Sequence, residues 1–161
     1  MQISKKMQEA FDEQINWEMW SANLYLQMAF WFRKEGWKGF AHWMYKQSAE
    51  ETGHAMDMAE FVLNRGGHPN VGAIKAVPTE WSDPKAVFEA TYKHEQQVTE
   101  LINKLADVAD AEKDRASINF IDRYIDEQVQ EEQTALDILN LFLHRDDHAV
   151  ALIDDKLATR E

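Results

Sequence analysis

Four long segments of the sequence carry apolar residues at steps of three and four, the spacing that puts side chains on one face of an α-helix. Gly66-Gly67 ends the second segment, and Ser82-Asp83-Pro84 begins the third with a capping residue followed by proline. The pattern therefore predicts an all-α protein. The predicted helices run from about Ser4 to Lys34, from about Gly39 to Arg65, from Ser82-Asp83-Pro84 onward, from about Ala116 to His144, and, as a short fifth helix, from about His148 to Leu157.

The connections between these segments predict the topology. Glu35 to Lys38 and Glu112 to Arg115 are short, so the two helices that each connection joins should be antiparallel neighbours. Gly66 to Asp83 is long and has no helical period. When extended it can span roughly 55–60 Å, whereas a helix of this size is about 40 Å long. We therefore expect an up-down four-helix bundle with one long crossover between parallel helices two and three, plus the short C-terminal helix.

Polar residues interrupt each apolar seam near the middle of its helix. Glu51 and His54 form a Glu-x-x-His pair, which aims a carboxylate and an imidazole at one point. The midpoints of all four helices share one depth in such a bundle, and buried carboxylates are costly unless a cation lies between them. An oxygen-rich site with one imidazole suits iron or manganese. The residues selected by both depth and face are Glu18, Glu51, His54, Glu95, Gln128 and Glu131.

Composition narrows the possible partners. The 161 residues suit one domain spanning 1–161, and the absence of cysteine excludes disulfides and thiolate metal sites. A formal net charge of −12 disfavours nucleic acid and anionic membranes and favours cations, although solubility alone explains an acidic chain equally well. Neither a membrane-spanning apolar run nor a secretory signal is visible, so we expect a cytoplasmic protein.

Several motifs resemble those of one known family over nearly the whole chain. They are Asn16-Trp17-Glu18-Met19-Trp20-Ser21, Gly39-Phe40-Ala41-His42-Trp43-Met44, Glu50-Glu51-Thr52-Gly53-His54, Tyr92-Lys93-His94-Glu95 and Asp126-Glu127-Gln128. In these stretches the chain resembles the bacterial non-haem ferritins. The resemblance implies a ferritin-like bundle that assembles into an octahedral shell of twenty-four copies, oxidises Fe(II) with dioxygen or peroxide, and stores the ferric product as a mineral.

The resemblance also implies roles for individual residues. One iron would be held by Glu18, Glu51 and His54, and the second by Glu51, Glu95 and Glu131, with Glu51 bridging both. Gln128 would lie beside the pair. Tyr25 would be a hydrogen-bond or electron partner of the centre, with plain core packing as the alternative.

A third iron site on the cavity side is common among relatives. Glu50 and Glu127 match its pattern, and Glu131 would be shared with the second iron. Gln130 stands where a further carboxylate is expected, which predicts a weaker third site. The alternative for Glu50 and Glu127 is a solvated inner face.

Two departures separate the chain from neighbouring families. Haem-containing bacterioferritins carry a second Glu-x-x-His on helix four and a haem-ligating methionine after the bridging glutamate; here the positions hold Gln128-x-x-Glu131 and Thr52, so no haem is expected. Animal ferritins line their three-fold pores with an acidic pair, at positions that correspond to Ile118 and Ile121. An acidic route for iron through such a pore is therefore not expected.

Helix one carries a second apolar stripe on a face other than that of Glu18. A monomer seldom exposes such a stripe, so it should pack on another copy, be covered by the crossover of the same chain, or both. The stripe consists of Trp17, Trp20, Leu24 and Trp31. The remaining histidines show no ligand spacing and are predicted to be surface or packing residues; they are His42, His68, His94, His144 and His148.

The sequence thus favours an iron-storage ferroxidase over three rivals. A di-iron oxidase or peroxidase that stores nothing would form a small oligomer. A structural shell with a vestigial site would be free to lose its buried charges. A miniature DNA-protecting ferritin has its site between subunits and would not need ligands on all four helices.

Overall fold

The computed structural model describes residues 1–143 and 147–161, and within them all regular structure is helical. Every predicted helix is present, with ends one or two residues from those expected. Ser4, for example, is the N-cap of the first helix rather than its first residue. His144 lies outside the described residues. The helices are α1 (Lys5–Lys34), α2 (Lys38–Asn64), α3 (Pro84–Ala111), α4 (Arg115–Phe142) and α5 (Asp147–Leu157).

The helices pack with the predicted topology. α1 packs along α2 and α3 packs along α4, while α1 also contacts α3. The end of α1 meets the starts of both α2 and α3 in one apolar cluster, which includes Phe32, Phe40 and Phe88. α2 and α3 are therefore parallel, as the long crossover predicted. Among the helices that the structure describes, none is long and apolar enough to cross a membrane.

Two apolar clusters fill the bundle, and the polar layer predicted from the sequence lies between them. Tyr25 and Phe88 belong to the cluster on one side of that layer, and Phe11 and Met58 belong to the cluster on the other side. Side chains in both clusters are fully buried. The clusters supply the hydrophobic stabilisation that holds charged groups at mid-height, where charge alone would destabilise the fold.

The crossover is fixed to α1 by a ladder of hydrogen bonds. Side chains one turn apart on α1 meet the polar groups of every second residue of the crossover. Four helical residues rise about 6 Å and two extended residues advance roughly 6–7 Å, so the two spacings match over a few rungs. The pairs are Gln8 Oε1 with His68 N at 3.0 Å, Asp12 Oδ1 with Asn70 N at 2.9 Å, and Asn16 Oδ1 with Gly72 N at 2.8 Å.

The apolar stripe of α1 is covered in part by the same chain. Leu24 and Trp31 are buried, and the Trp31 ring lies 6.2 Å from the ring of Trp81 in the crossover. Trp17 and Trp20 are only half-buried and line an open groove beside the crossover. Within this stripe, Trp17 and Trp20 are therefore the residues exposed enough to pack on another copy.

The burial of Ile121 contradicts its predicted correspondence to a pore-lining position of the animal ferritins. Its side chain is fully buried in the apolar cluster that contains Phe11, because it lies on the face of α4 that points into the bundle. A residue at this position cannot line a pore. Ile118, one turn earlier, is half-buried and packs against the same cluster.

α5 folds back onto the start of α2. Trp37, the N-cap of α2, makes no capping hydrogen bond with its side chain to any residue that the structure describes, and Asp154 of α5 supplies one instead: its Oδ1 accepts from Phe40 N at 2.7 Å. A Cβ atom at Gly39 would lie 1.8 Å from the carbonyl oxygen of Asp154, so this approach requires glycine. Ile153 is buried beneath α5 in the apolar core.

A largely buried ion pair joins the end of α2 to the start of α4. Arg65 Nη1 lies 2.7 Å from Asp114 Oδ2 and 2.9 Å from Ser117 Oγ, and its Nε donates to the carbonyl of Met1. Burial alone would raise the pKa of Asp114, but the hydrogen bonds from Arg65 and Ser117 outweigh it and lower that pKa. The pair therefore stabilises the fold above pH 3.8, the ordinary pKa of aspartate, and loses its effect as pH falls through the lowered value.

Arg65→Ala should destabilise the metal-free protein by about 2–4 kcal/mol, because it leaves Asp114 largely buried without its partner. The melting temperature at pH 7 should fall by about 5–10 °C, as measured by calorimetry. Arg115→Ala removes an exposed arginine beside Asp114 and is the matched control, with a change near zero. Equal melting temperatures for Arg65→Ala and the control would contradict a stabilising role for this pair.

Candidate metal centre

Glu18, Glu51 and His54 meet in the polar layer of the bundle. One potential ligand atom from each lies within 4.8 Å of the other two. Glu18 comes from α1, and Glu51 and His54 come from adjacent turns of one face of α2, so the i, i+3 spacing works as predicted. Both carboxylates are buried. This arrangement is the geometry expected for a cation held by two carboxylates and one imidazole.

The Glu18 carboxylate is only half satisfied. Its Oε1 accepts a hydrogen bond from Gln14 Nε2 at 2.7 Å, whereas its Oε2 is buried and accepts none from any residue that the structure describes. Burial, followed by the charge of Glu51, raises the pKa of Glu18 well above its ordinary value. Burial likewise raises the pKa of Glu51. A cation between the two would satisfy the free oxygen and remove the repulsion.

His54 lies between carboxylates on both sides. Its Nδ1 is 3.1 Å from Glu51 Oε2 and 3.9 Å from Glu18 Oε2, and its Nε2 is 3.2 Å from Glu127 Oε1. Burial alone would lower the pKa of His54, but Glu127, Glu51 and Glu18 outweigh it and raise that pKa to about 11. Without metal the imidazolium is therefore the cation of the site. A metal ion that takes its place must displace its proton.

Glu95 faces the same layer from α3 but is engaged by other partners. The Tyr25 hydroxyl donates to Glu95 Oε1, and Gln128 Nε2 donates to Glu95 Oε2 at 3.2 Å. Burial raises the pKa of Glu95 to about 7 despite these hydrogen bonds. Burial and the charge of Glu95 raise the pKa of Tyr25 well above its ordinary value, so the phenol remains protonated as the donor. Tyr25 is thus a direct hydrogen-bond partner of a predicted ligand.

Glu131 lies in a second acidic group, with Glu50 and Glu127. One oxygen from each of these three residues lies within 4.8 Å of the other two, and all three side chains are half-buried. Burial, then the charge of Glu50, raises the pKa of Glu131. The structure therefore brings together the carboxylates predicted for the third iron. Gln130, which stands where a further carboxylate ligand of this site was expected, has an exposed side chain.

The predicted ligands of the second iron do not meet at comparable distances. Within the described residues, Glu51, Glu95 and Glu131 do not form such a three-residue group, because Glu95 is held by Tyr25 and Gln128, and Glu131 accepts from Gln47 Nε2 at 3.1 Å. The hydrogen bonds satisfy the carboxylates in place of a metal. Glu95 and Glu131 would have to turn toward Glu51 to share an ion with it.

Sequence reasoning missed the amides that position the carboxylates. Gln14 lies one turn before Glu18, and Gln47 lies one turn before Glu51. Both are buried, and a glutamine one turn from a ligand on a core face was the signal available. An open groove of about 390 Å³ between α3 and α4 was also not predicted; Gln128 forms part of its wall.

The other histidines serve packing and hydrogen bonding where the structure describes them. His94 is buried, and its Nε2 shares a hydrogen bond of 2.9 Å with Ser21 Oγ. Its ring packs against the rings of Trp20 and Tyr25. Burial lowers the pKa of His94 to about 4. His42 Nε2 lies 2.6 Å from the carbonyl of Arg160. His68 belongs to the hydrogen-bond ladder of the crossover, whereas the side chains of His144 and His148 lie outside the described part.

Comparisons with known proteins identify the family of the chain. Residues 8–143 match the ferritin-like domain of the ferritin family. The chain is 48% identical over 158 residues to a bacterial non-heme ferritin of Bacteroides fragilis (strain 638R), covering 98% of this chain and 99% of the relative. It is 35% identical to a probable bacterial non-heme ferritin-like protein of Haemophilus influenzae, covering 96% and 95%. An open pore ferritin from the archaeon Archaeoglobus fulgidus superposes with a TM-score of 0.95 at 45% identity, covering 99% of both chains. The chain belongs to the ferritin family, and iron storage is the function that this membership gives it.

Proposed function

We propose that the chain is a ferroxidase that binds two Fe(II) ions as substrate in the polar layer of its bundle. The observation that carries the proposal is the buried group of Glu18, Glu51 and His54, in which Glu18 Oε2 has no hydrogen-bond donor among the described residues. Buried carboxylates that repel one another destabilise a bundle, and their pKa values are raised accordingly. Such an arrangement is expected where a cation is the functional occupant.

Different side chains would bind the two irons. Glu18 and His54 would hold the first iron, Glu95 and Glu131 the second, and Glu51 would bridge them. The two Fe(II) ions together would give two electrons, which with two protons reduce dioxygen to hydrogen peroxide, or hydrogen peroxide to water, and the irons would leave as Fe(III). The protein supplies carboxylate and imidazole ligands in a largely buried layer, and Glu95 and Glu131 would turn toward Glu51 when the second iron binds.

Gln128 and Tyr25 support Glu95 in this scheme. Both donate hydrogen bonds to its carboxylate, so they hold it in place until iron arrives. When Glu95 turns to the metal, the hydroxyl of Tyr25 stays beside the centre, within reach to pass a proton or an electron. The fully buried position of Tyr25 keeps this exchange away from solvent.

A third site would lead the ferric product toward storage. Glu50, Glu127 and Glu131 would form it, and the 3.2 Å contact between Glu127 and His54 supports a position beside the first site. Because Glu131 would be shared by the second and third irons, the two sites are coupled through one side chain. Iron that leaves the two-iron centre therefore meets carboxylate oxygens at once.

Storage also requires a closed assembly, for which we propose a shell of twenty-four copies with octahedral symmetry. The half-buried Trp17 and Trp20 beside the crossover offer an apolar surface for one of its interfaces. A reducing compartment supplies iron as Fe(II), the form that the site oxidises, so we propose a cytoplasmic location. A di-iron oxidase that stores nothing would have the mass of a small oligomer of 18.8 kDa chains in light scattering.

Anaerobic titration of the metal-free protein with Fe(II), followed by calorimetry, should show two tight sites and a weaker third site per chain. Gln130→Glu should tighten the third site about three- to tenfold, because affinity for hard cations rises with the number of carboxylate ligands. Gln133→Glu adds the same charge at another exposed position of α4 and should leave the third site unchanged. Fewer than two tight sites would refute the ferroxidase proposal, and equal third-site affinities in both variants would refute the assignment of Gln130.

A further inference from the structure

The last residues of the chain are fastened to α2 close to the acidic group of Glu50, Glu127 and Glu131. Leu157 is buried in the apolar core beneath α5. Beyond it, the carbonyl of Arg160 meets His42 Nε2 at 2.6 Å, and Arg160 Nη1 donates to the carbonyl of Trp43 at 3.3 Å. The guanidinium carbon also lies 4.8 Å from the centre of the Trp43 ring. The Arg160 side chain is therefore held along α2.

The guanidinium of Arg160 reaches into this acidic group. Its Nη2 lies 2.7 Å from Glu50 Oε2, a short, charge-assisted hydrogen bond. Both side chains are only partly exposed. The positive charge of Arg160 also lowers the pKa of Glu131, against the larger effects of burial and Glu50. Arg160 thus places a cation in direct contact with Glu50 and partly neutralises the group.

We propose that Arg160 competes with the third metal ion for Glu50 and so couples the affinity of that site to the attachment of the C-terminal residues. The inference rests on the proposed third site and adds its regulation. A metal ion that uses Glu50 must break or weaken the contact with Arg160, since a guanidinium and a divalent cation repel each other at this range. Freed from Glu50, the Arg160 residue keeps its contacts with His42 and Trp43.

Linkage makes this coupling reciprocal. If metal binding weakens the Arg160 contact by some free energy, removal of that contact must strengthen metal binding by the same amount. A partly exposed ion pair is worth up to about 1 kcal/mol, which corresponds to about a fivefold change in affinity. Glu50 is not a proposed ligand of the first two irons, so the effect should be largest at the third site, with a smaller effect on the second iron through the shared Glu131.

The test uses the assembled, metal-free protein and anaerobic calorimetric titration with Fe(II). Arg160→Gln should tighten the third site about two- to fivefold and change the affinity of the two tight sites less than that of the third. Lys156→Gln is the matched control, because it removes a positive charge from an exposed position of the same C-terminal segment. A third site of equal or weaker affinity in Arg160→Gln than in the control would overturn the inference.

A second measurement follows the C-terminal residues of the wild-type protein directly. Hydrogen exchange of the amides of residues 156–161 should accelerate when Fe(II) is raised from two to four equivalents per chain, and Glu127→Gln, which weakens the third site, should abolish this response. Unchanged exchange despite a third binding event would overturn the inference while leaving the third site intact. Absence of a third event in both the wild type and Arg160→Gln would remove the third site itself and this inference with it, but not the two-iron centre.

Discussion

Replacing Glu18 with Gln and His54 with Leu together should reduce the rate of rapid Fe(II) oxidation by at least about a hundredfold. Loss of residues that merely orient a metal ligand lowers activity about 10–100-fold, and this variant removes two ligands of the same iron. The measurement is the initial rate at which the absorbance of the ferric product increases after Fe(II) is mixed with aerated protein. Glu13→Gln, an exposed glutamate of the same helix, is the matched control and should oxidise at the wild-type rate.

The same double variant should keep or raise the melting temperature of the metal-free protein. The pKa values of Glu18 and Glu51 are raised, so the folded state binds more protons than the unfolded state as pH rises through and above 4.5. Stability therefore falls with rising pH in that range, and an uncharged amide in place of the Glu18 carboxylate avoids this loss. His54→Leu removes the imidazolium that offsets part of this repulsion, whereas Glu18→Gln removes one of the two buried carboxylates that repel, so the gain compensates the loss in the double variant.

A strongly lowered melting temperature in chelating buffer, with oxidation intact, would mean that Glu18 and His54 serve the fold rather than the chemistry. Added metal provides an independent check. Fe(II) under anaerobic conditions should stabilise the wild type by mass action and should stabilise the double variant far less.

Trp17→Glu combined with Trp20→Glu should convert the large assembly into small oligomers. Two charged side chains would replace the aromatic rings that line the open groove beside the crossover, and buried aromatic anchors carry much of the energy of protein interfaces. Light scattering after size-exclusion chromatography measures the change. Met56→Glu introduces a charge at an exposed methionine outside this groove and should leave the mass unchanged.

Helical content must accompany this measurement. Circular dichroism of the double tryptophan variant should match that of the wild type, because both rings are only half-buried in the single chain. A large assembly that survives with both tryptophans replaced would show that this groove is not part of an essential interface.

The bundle and its topology followed from the sequence because local signals determine them. The period of the apolar residues located each helix, and 66–83 is long enough to cross the bundle and so allowed α2 and α3 to be parallel. The sequence did not determine how much of the apolar stripe of α1 the crossover covers, since Trp31 packs against Trp81, which lies fifty residues away in the chain. The burial of Ile121 was also missed, because a register transferred from a distant family does not state which face of α4 points inward.

The sequence predicted which side chains share the polar layer, but not which of them are hydrogen-bonded to one another. Two criteria, a position near the middle of a helix and a place on its apolar face, were enough to select Glu18, Glu51 and His54, which lie together in the structure. The partners of Glu95 and Glu131 without metal depend on side chains from other helices, among them Tyr25 and Gln47. Whether hydrogen bonds or a cation satisfy these carboxylates depends on residues far apart in the sequence, and the residue pattern of one helix does not contain that information.

The hydrogen-bond ladder between α1 and the crossover sets a rule for changes in loop length. Its rungs follow every fourth residue of the helix and every second residue of the crossover, from Gln8 with His68 to Asn16 with Gly72. An insertion of one residue between His68 and Gly72 would turn the next amide away from its acceptor, whereas two residues would restore the alternation. The two spacings also differ by a few tenths of an ångström or more per rung, so the mismatch grows with each one. Variation in loop length is therefore best tolerated after Gly72, where the ladder has ended.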